Sequence, residues 1–321
     1  MASFLKGIMN KLGGGRSGRA PFIHLGAFGK HPGWNDHVDD MGLESEQLIN
    51  AKRIFYIQGM SGNIDSGAWD RLGEDDQLKQ FRHVFAWRTG DDLVIGRLWS
   101  SSDGKGRKRY PMIVCAHCGG MPMAWAFAHV LPQLEKIEAG CAATTEASVV
   151  RSIVDRAREE LRSQLPGRDD STPDGDTSAP SPLATLAHRP EMGIELKGLL
   201  AILYQVEREL TAFRPNQKSD RSRIASVAPR HLRVPACAPT PDEAMLLWLR
   251  FMLTQLDPNT PLCVIYPLDE QFIDLIVGEP TPTQLFCVRA STRKIPLTTD
   301  IPYNLDAEFI SRSKGMIEAA H

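Results

Sequence analysis

The stretch HVFAWRTGDDLVIGRLWSSSDGKGRKRYPMIVCA, residues 83–116, decides the fold. Its apolar runs at 83–88 and 93–98 are strand-sized and too short for ordinary helices. A turn rich in Ser, Asp and Gly then leads into a third strand at 110–116. Upstream lie a strand at 22–28 and a helix at 44–58. Downstream, helices are predicted at 122–137 and 145–164, the second with Val149, Ile153, Ala157 and Leu161 recurring every four residues. A helix at 194–213 places Leu196, Leu199, Leu200, Leu203 and Val206 on its inner face. Thr240-Pro241-Asp242-Glu243 opens another at 241–256, with Pro in the first turn and acids at the positive dipole end. Strands at 262–266 and 284–288 flank a small helix at 270–277. The order predicts an α/β fold: a mixed β-sheet with helices packed over it. A strand–helix–strand C-terminal unit completes that sheet or forms a second lobe.

One compositional break divides the chain. Residues 166–182 (PGRDDSTPDGDTSAPSP) contain four Pro, four Asp and no Leu, Ile, Val, Met or aromatic residue. Such a segment buries too little apolar area to offset its ordering entropy, so a disordered acidic linker is expected. The expected divisions are a flexible leader at 1–20, an α/β domain at 21–165, the linker at 166–182 and the remainder at 183–321. Phe4, Leu5, Ile8, Met9 and Leu12 would share one face of a short helix within the leader. Lys and Arg total 37 against 39 Asp and Glu, a net −2, which argues against coating nucleic acid or an anionic membrane. No apolar run approaches the roughly 18–20 residues of a membrane span, so stable membrane insertion is not expected. Six scattered Cys suit a reducing, cytoplasmic compartment better than a disulfide framework.

Motifs for chemistry mostly fail. Gly26-Ala27-Phe28-Gly29-Lys30 resembles the end of a phosphate loop, but His24 and His31 occupy the positions that need Gly and Ser or Thr. Gly59-Met60-Ser61-Gly62-Asn63 lacks the last Gly of a nucleophile elbow. Cys115-Ala116-His117-Cys118 is a lone C-x2-C at the end of an apolar strand, without the second pair that zinc requires. His31, Asp36, His37, Asp39 and Asp40 form the densest titratable cluster. A metal-assisted hydrolase using His31, Asp36 and His37 is one alternative, and a membrane-surface adaptor using the 4–12 face is another. Four cations, Lys105, Arg107, Lys108 and Arg109, sit in the Gly-containing hairpin, where Arg offers bidentate recognition of carboxylate or phosphate.

Gly29-Lys30-His31-Pro32-Gly33-Trp34-Asn35-Asp36 after the opening strand resembles the G-K-x-P-x-x-G-D entry of the TagF/ImpM-like accessory proteins of bacterial type VI secretion. Ser101, Asp103, Gly106, Arg107, Tyr110 and Pro111 resemble that family's S-x-D-x-x-G-R-x-F-P-L loop, with Met112 in place of Leu and one extra residue before Tyr110. Between them, Ser61-Gly62 and Gly67-Ala68-Trp69 occupy the family's middle element. Asn35 stands for the family Gly and His37 for a usual Phe, and the resemblance covers about residues 22–135.

The resemblance implies a longin-type α/β module acting as a cytoplasmic, non-enzymatic, post-translational regulator without a cofactor. Its partners would be type VI secretion components, including a forkhead-associated-domain protein in some relatives, and not nucleic acid. Gly29, Lys30, Pro32 and Asp36 would form the contact surface with Ser101, Asp103, Gly106, Arg107, Tyr110 and Pro111. Asp36 and Arg107 are expected to pair and join the two loops.

Overall fold

The computed structural model describes residues 19–167, 181–188, 194–215 and 224–320. The 4–12 face and most of the acidic segment at 166–182 lie outside those residues. Seven strands form one sheet: β1 (Phe22–Gly29), β2 (Arg82–Thr89), β3 (Asp92–Ser100), β4 (Pro111–Gly119), β5 (Arg230–Pro235), β6 (Leu262–Pro267) and β7 (Phe272–Val277). Their spatial order is β1-β4-β3-β2-β6-β7-β5, with every pairing antiparallel.

Both faces of the sheet are covered. Val84, Ala86, Ile95, Val114 and Val264 face one core, while Phe85, Trp87, Val94, Ile113 and Ile265 face the other. Helices α2 (Met123–Ala142), α3 (Ala147–Ser163), α4 (Pro182–His188), α5 (Leu196–Glu209), α6 (Pro241–Gln255) and α8 (Ala307–Ala319) contribute to the first core. The second is closed by α1 (Glu46–Ala51), its continuation, and α7 (Pro282–Leu285). Double coverage makes the central strands near-continuous apolar runs, a pattern usual for parallel strands. The α/β class with helices over a sheet therefore holds, while the mixed pairing suggested by sequence resolves as antiparallel throughout. Gly96 lies opposite Phe85, and a Cβ there would fall 2.2 Å from the Phe85 ring, so the bare backbone makes room for the aromatic.

The last third departs from expectation. Residues 272–277 form β7 instead of a helix, because Asp274, 1% exposed, binds Arg233 of β5 within the sheet. Residues 284–288 are helical instead of extended. Pro282 opens α7 in its first turn, and a 3-10 turn, Phe286–Arg289, follows. The C-terminal strands are thus a β6–β7 hairpin plus β5, joined to the first four strands of the sheet by β2–β6 pairing. In α3 the buried residues are Val150, Val154, Ala157 and Leu161, and Val149 is exposed; likewise Leu196 of α5 is exposed.

Ser45 caps α1 by accepting from the Leu48 N–H at 3.3 Å. The helix then widens into a π-helical stretch, Lys52–Ser61, before an α-helical turn, Gly62–Asp65. Its buried pairs Phe55-Tyr56 and Gly59-Met60 recur four residues apart, and Gly59 admits the Leu285 side chain of α7. This widening brings Tyr56 beneath the loops that follow β1 and β3.

Candidate functional site

β1 ends at Gly29, whose φ of 112° suits glycine, and a Cβ there would meet the Pro111 carbonyl oxygen at 2.4 Å. The Lys30 N–H donates to that same oxygen at 3.1 Å, so the start of β4 and the end of β1 set the entry loop together. Pro111 takes the first position of β4, where a missing N–H is tolerated. Pro32 and Trp34 carry the loop against the hairpin between β3 and β4, where the Gly104 N–H donates to the Trp34 carbonyl at 2.7 Å.

Lys30 joins the loops. Its side chain is almost wholly buried, and Nζ donates to Asp36 Oδ1 at 2.5 Å and to Asp103 Oδ2 at 3.1 Å. Asp103 is also buried. Its Oδ1 accepts from the Lys105 and Arg107 N–H groups, each at 3.0 Å, and its Oδ2 accepts from Arg107 Nε at 2.6 Å. The Arg107 Nη2 completes the ring by donating to Asp36 Oδ1 at 2.9 Å and to the Asn35 carbonyl at 3.2 Å. Gly106, with φ 77°, lets the hairpin turn back so that the Arg107 N–H meets Asp103.

Two cations and two carboxylates therefore close a four-membered network. The expected Asp36–Arg107 pair is present, but both side chains are largely exposed; the buried centre is Lys30–Asp103. Burial alone would raise the Asp103 carboxyl, but hydrogen bonds from Arg107, Lys30 and the Lys105 N–H hold it well below the usual range. The Lys30 hydrogen bond likewise lowers Asp36, aided by the nearby His37, Lys30 and Arg107 charges and opposed by slight desolvation. Neither carboxylate is poised as a base near neutrality.

Aromatic rings line the same place. Tyr110 stands 5.9 Å from Lys30 Nζ and reaches Asp65 Oδ1 with its hydroxyl at 3.4 Å. Tyr56 packs 5.8 Å from both Tyr110 and His37, and its buried hydroxyl lacks a hydrogen-bond partner. Burial first, then the neighbouring Tyr110, Asp36 and Asp103, pushes that hydroxyl upward and keeps it protonated. Sequence reasoning missed Tyr56 because its approach depends on the π-helical widening. Ser101 lies apart from the network, in the wall of a neighbouring cleft that also includes Pro32.

Of the hydrolase alternative's trio, His37 Nδ1 and Asp36 Oδ1 meet at 3.1 Å, but His31 is engaged elsewhere. His31 Nε2 lies 2.9 Å from the Cys141 carbonyl, and its Nδ1 accepts from the Gly33 N–H at 3.0 Å, so neither ring nitrogen offers a free lone pair. His31 instead ties the entry loop to α2. Cys115 and Cys118 project into opposite cores and cannot share an ion; burial pushes the Cys115 thiol up to about 12. Among the described residues, His231, Asp274 and Cys287 place three ligand atoms within 4.8 Å. There the Arg233 guanidinium already clamps both Asp274 oxygens, at 2.7 and 2.9 Å, and its charge opposes a cation. Among the described residues, no helix is long and apolar enough to cross a membrane. No model of a known protein family matches the sequence, and no curated protein matches it.

Proposed function

We propose that the chain is a regulatory accessory protein of a bacterial type VI secretion system, related to the TagF/ImpM-like family, that acts in the cytoplasm by binding other proteins. One observation carries the reading. The two loops that hold the family-like motifs, 73 residues apart, are fastened by the single buried Lys30 ammonium into one surface. A network whose carboxylates are both held ionised by neighbouring cations suits a preorganised docking face better than proton transfer. Lys105, Lys108 and Arg109 stand exposed on one side of it, and Asn35, Asp36 and His37 on the other. The partner is a component of the secretion machine, with a forkhead-associated-domain protein the first candidate, and no cofactor takes part.

The test uses residues outside the network. Arg107 is tied to the buried Asp103, so reversing its charge would disturb the fold, whereas the Lys105 side chain is exposed and Arg109 pairs only with the exposed Asp70. The Lys105→Glu/Arg109→Glu double variant should melt like the parent and lose at least about tenfold in capture of sheath, baseplate and forkhead-associated proteins. Unchanged capture by that folded variant would count against this surface. Absence of capture by the parent chain would remove the reading altogether.

A further inference from the structure

Beside the clamped loops lies a cleft of about 570 Å³ whose charge is one-sided. Ser101, Ser102 and Lys108 of the β3–β4 hairpin form one wall, Lys79 joins from the segment before β2, and Arg289 enters from the 3-10 turn after α7. Among the described residues, no Asp or Glu lines the cleft.

Arg289 is the telling group. Among the described residues, the three buried Lys and Arg side chains each have a carboxylate: Lys30 has Asp36 and Asp103, Arg97 has Glu138 at 2.5 Å, and Arg233 has Asp274. Arg289 is half-buried, yet no described carboxylate pairs with it. Its guanidinium rests 4.9 Å from the Phe81 ring centroid, and Nη2 donates to Gln77 Oε1 at 3.1 Å. Its Nε is buried with no hydrogen-bond partner, and desolvation pulls the guanidinium below its ordinary value. A half-buried guanidinium with no carboxylate partner, in the wall of a cleft that holds no acid, is a place where negative charge is missing.

The remaining donors define what would supply that charge. A single carboxylate would leave two of three cations uncompensated. A phosphate monoester carries a charge of about −1.5 to −2 and three acceptor oxygens, enough for the Arg289 fork, two ammonium groups and the serine hydroxyls. Lys79 and Lys108 are exposed and both line the cleft. We propose that this cleft is a phosphate-binding site for a phosphomonoester, with Arg289 as the fixed cation, Lys79 and Lys108 as the closing cations, and Ser101 and Ser102 as hydroxyl donors. The site borders the docking face and shares Lys108 and Ser101 with it, but it uses neither Lys105 nor Arg109, so a chain that captured no secretion component would still hold phosphate here.

Thermal unfolding and titration calorimetry of the full chain at low ionic strength test the site. The probes are inorganic phosphate and a blocked phosphoserine peptide, with acetate and the unphosphorylated peptide at matched ionic strength. Phosphate should raise the melting temperature saturably, acetate should not, and tighter binding of the phosphopeptide than of inorganic phosphate would place the group on a protein side chain. Equal or tighter binding of inorganic phosphate would support a free or small-molecule phosphate instead. Arg289→Met should abolish saturation, and Lys79→Gln/Lys108→Gln should weaken it by at least about tenfold. The lysine pair lies outside the core, so it carries the test if the arginine variant misfolds. The site is overturned if the parent shows no saturable response to either phosphate probe, or if the folded lysine double variant retains parental affinity.

Discussion

Lys30 shows how a residue's role depends on what packs above it. Gly29, Pro32, Asp36 and Arg107 were legible as loop-forming or pairing residues, because glycine, proline and opposite charges act through local chemistry. The burial of Lys30 and Asp103 was not legible. It arises only when the hairpin closes over the entry loop, and pattern carries no signal for contacts across 73 positions. His83 gives a sharper test of a buried single residue. It is 1% exposed in β2, and burial lowers its imidazole from 6.5 to about 4, with the Asp274 charge opposing the shift. Since the folded value lies below the unfolded one, the unfolded chain binds the extra proton between pH 6.5 and 4. Stability from this group is therefore complete above pH 6.5 and falls by roughly 3 kcal/mol as pH drops to 4. Urea unfolding across that interval should show the decline in the parent, with a flatter profile in a folded His83→Leu variant. An unchanged slope would assign the decline to another group.

Among the elements, the best-read ones bury their side chains by a simple rule. Strands β1 to β4 and helix α6 follow apolar runs or a Pro-acid start, and the structure places them within a few residues of expectation. β5 and β7 escaped because charged residues occupy buried strand positions: Arg233 and Asp274 face each other in register, and His231 reaches Asp274 Oδ1 at 2.7 Å. A polar pair that satisfies itself reads, in one dimension, as a break in the apolar pattern. The pair also has an unequal mutational profile. Arg233→Met strands a buried carboxylate and should cost about 3–5 kcal/mol, whereas Arg233→Met/Asp274→Leu removes both charges and should recover most of that loss. Chemical denaturation of the two variants and the parent decides it: a double variant as unstable as the single one would show that β5 is held by something other than charge compensation. The π-helical part of α1 and the α7 turn were hidden for a different reason. Their shape follows from Leu285 entering beside Gly59 and from Asn63, which donates to the Gly59 carbonyl at 2.8 Å and to the Pro282 carbonyl at 2.9 Å; the Leu285 and Pro282 contacts are made across more than two hundred residues.

At the scale of the molecule, the strand order sets the first four strands on one side of the sheet and the last three on the other. One pairing, β2 with β6, joins them from His83↔Pro267 to Arg88↔Leu262, with α2 and α6 packed into the same core. That division was legible only as a compositional break at 166–182; that both parts share one sheet was not, since strand pairing leaves no trace in composition. A protease site placed within 168–180 should therefore allow cleavage without dissociation. The two pieces should elute together and unfold in a single transition, and separate elution under native conditions would show the seam to be weaker than its burial implies. The seam also has a consequence during synthesis. Val84, Phe85, Ala86 and Trp87 leave the ribosome long before residues 262–267 exist, so the nascent chain holds an apolar, unpaired edge while more than a hundred further residues are made. On a crowded polysome, the β6–β7 hairpin of one copy can reach the waiting β2 of its neighbour, and the misassembled product this topology favours is a strand-exchanged dimer.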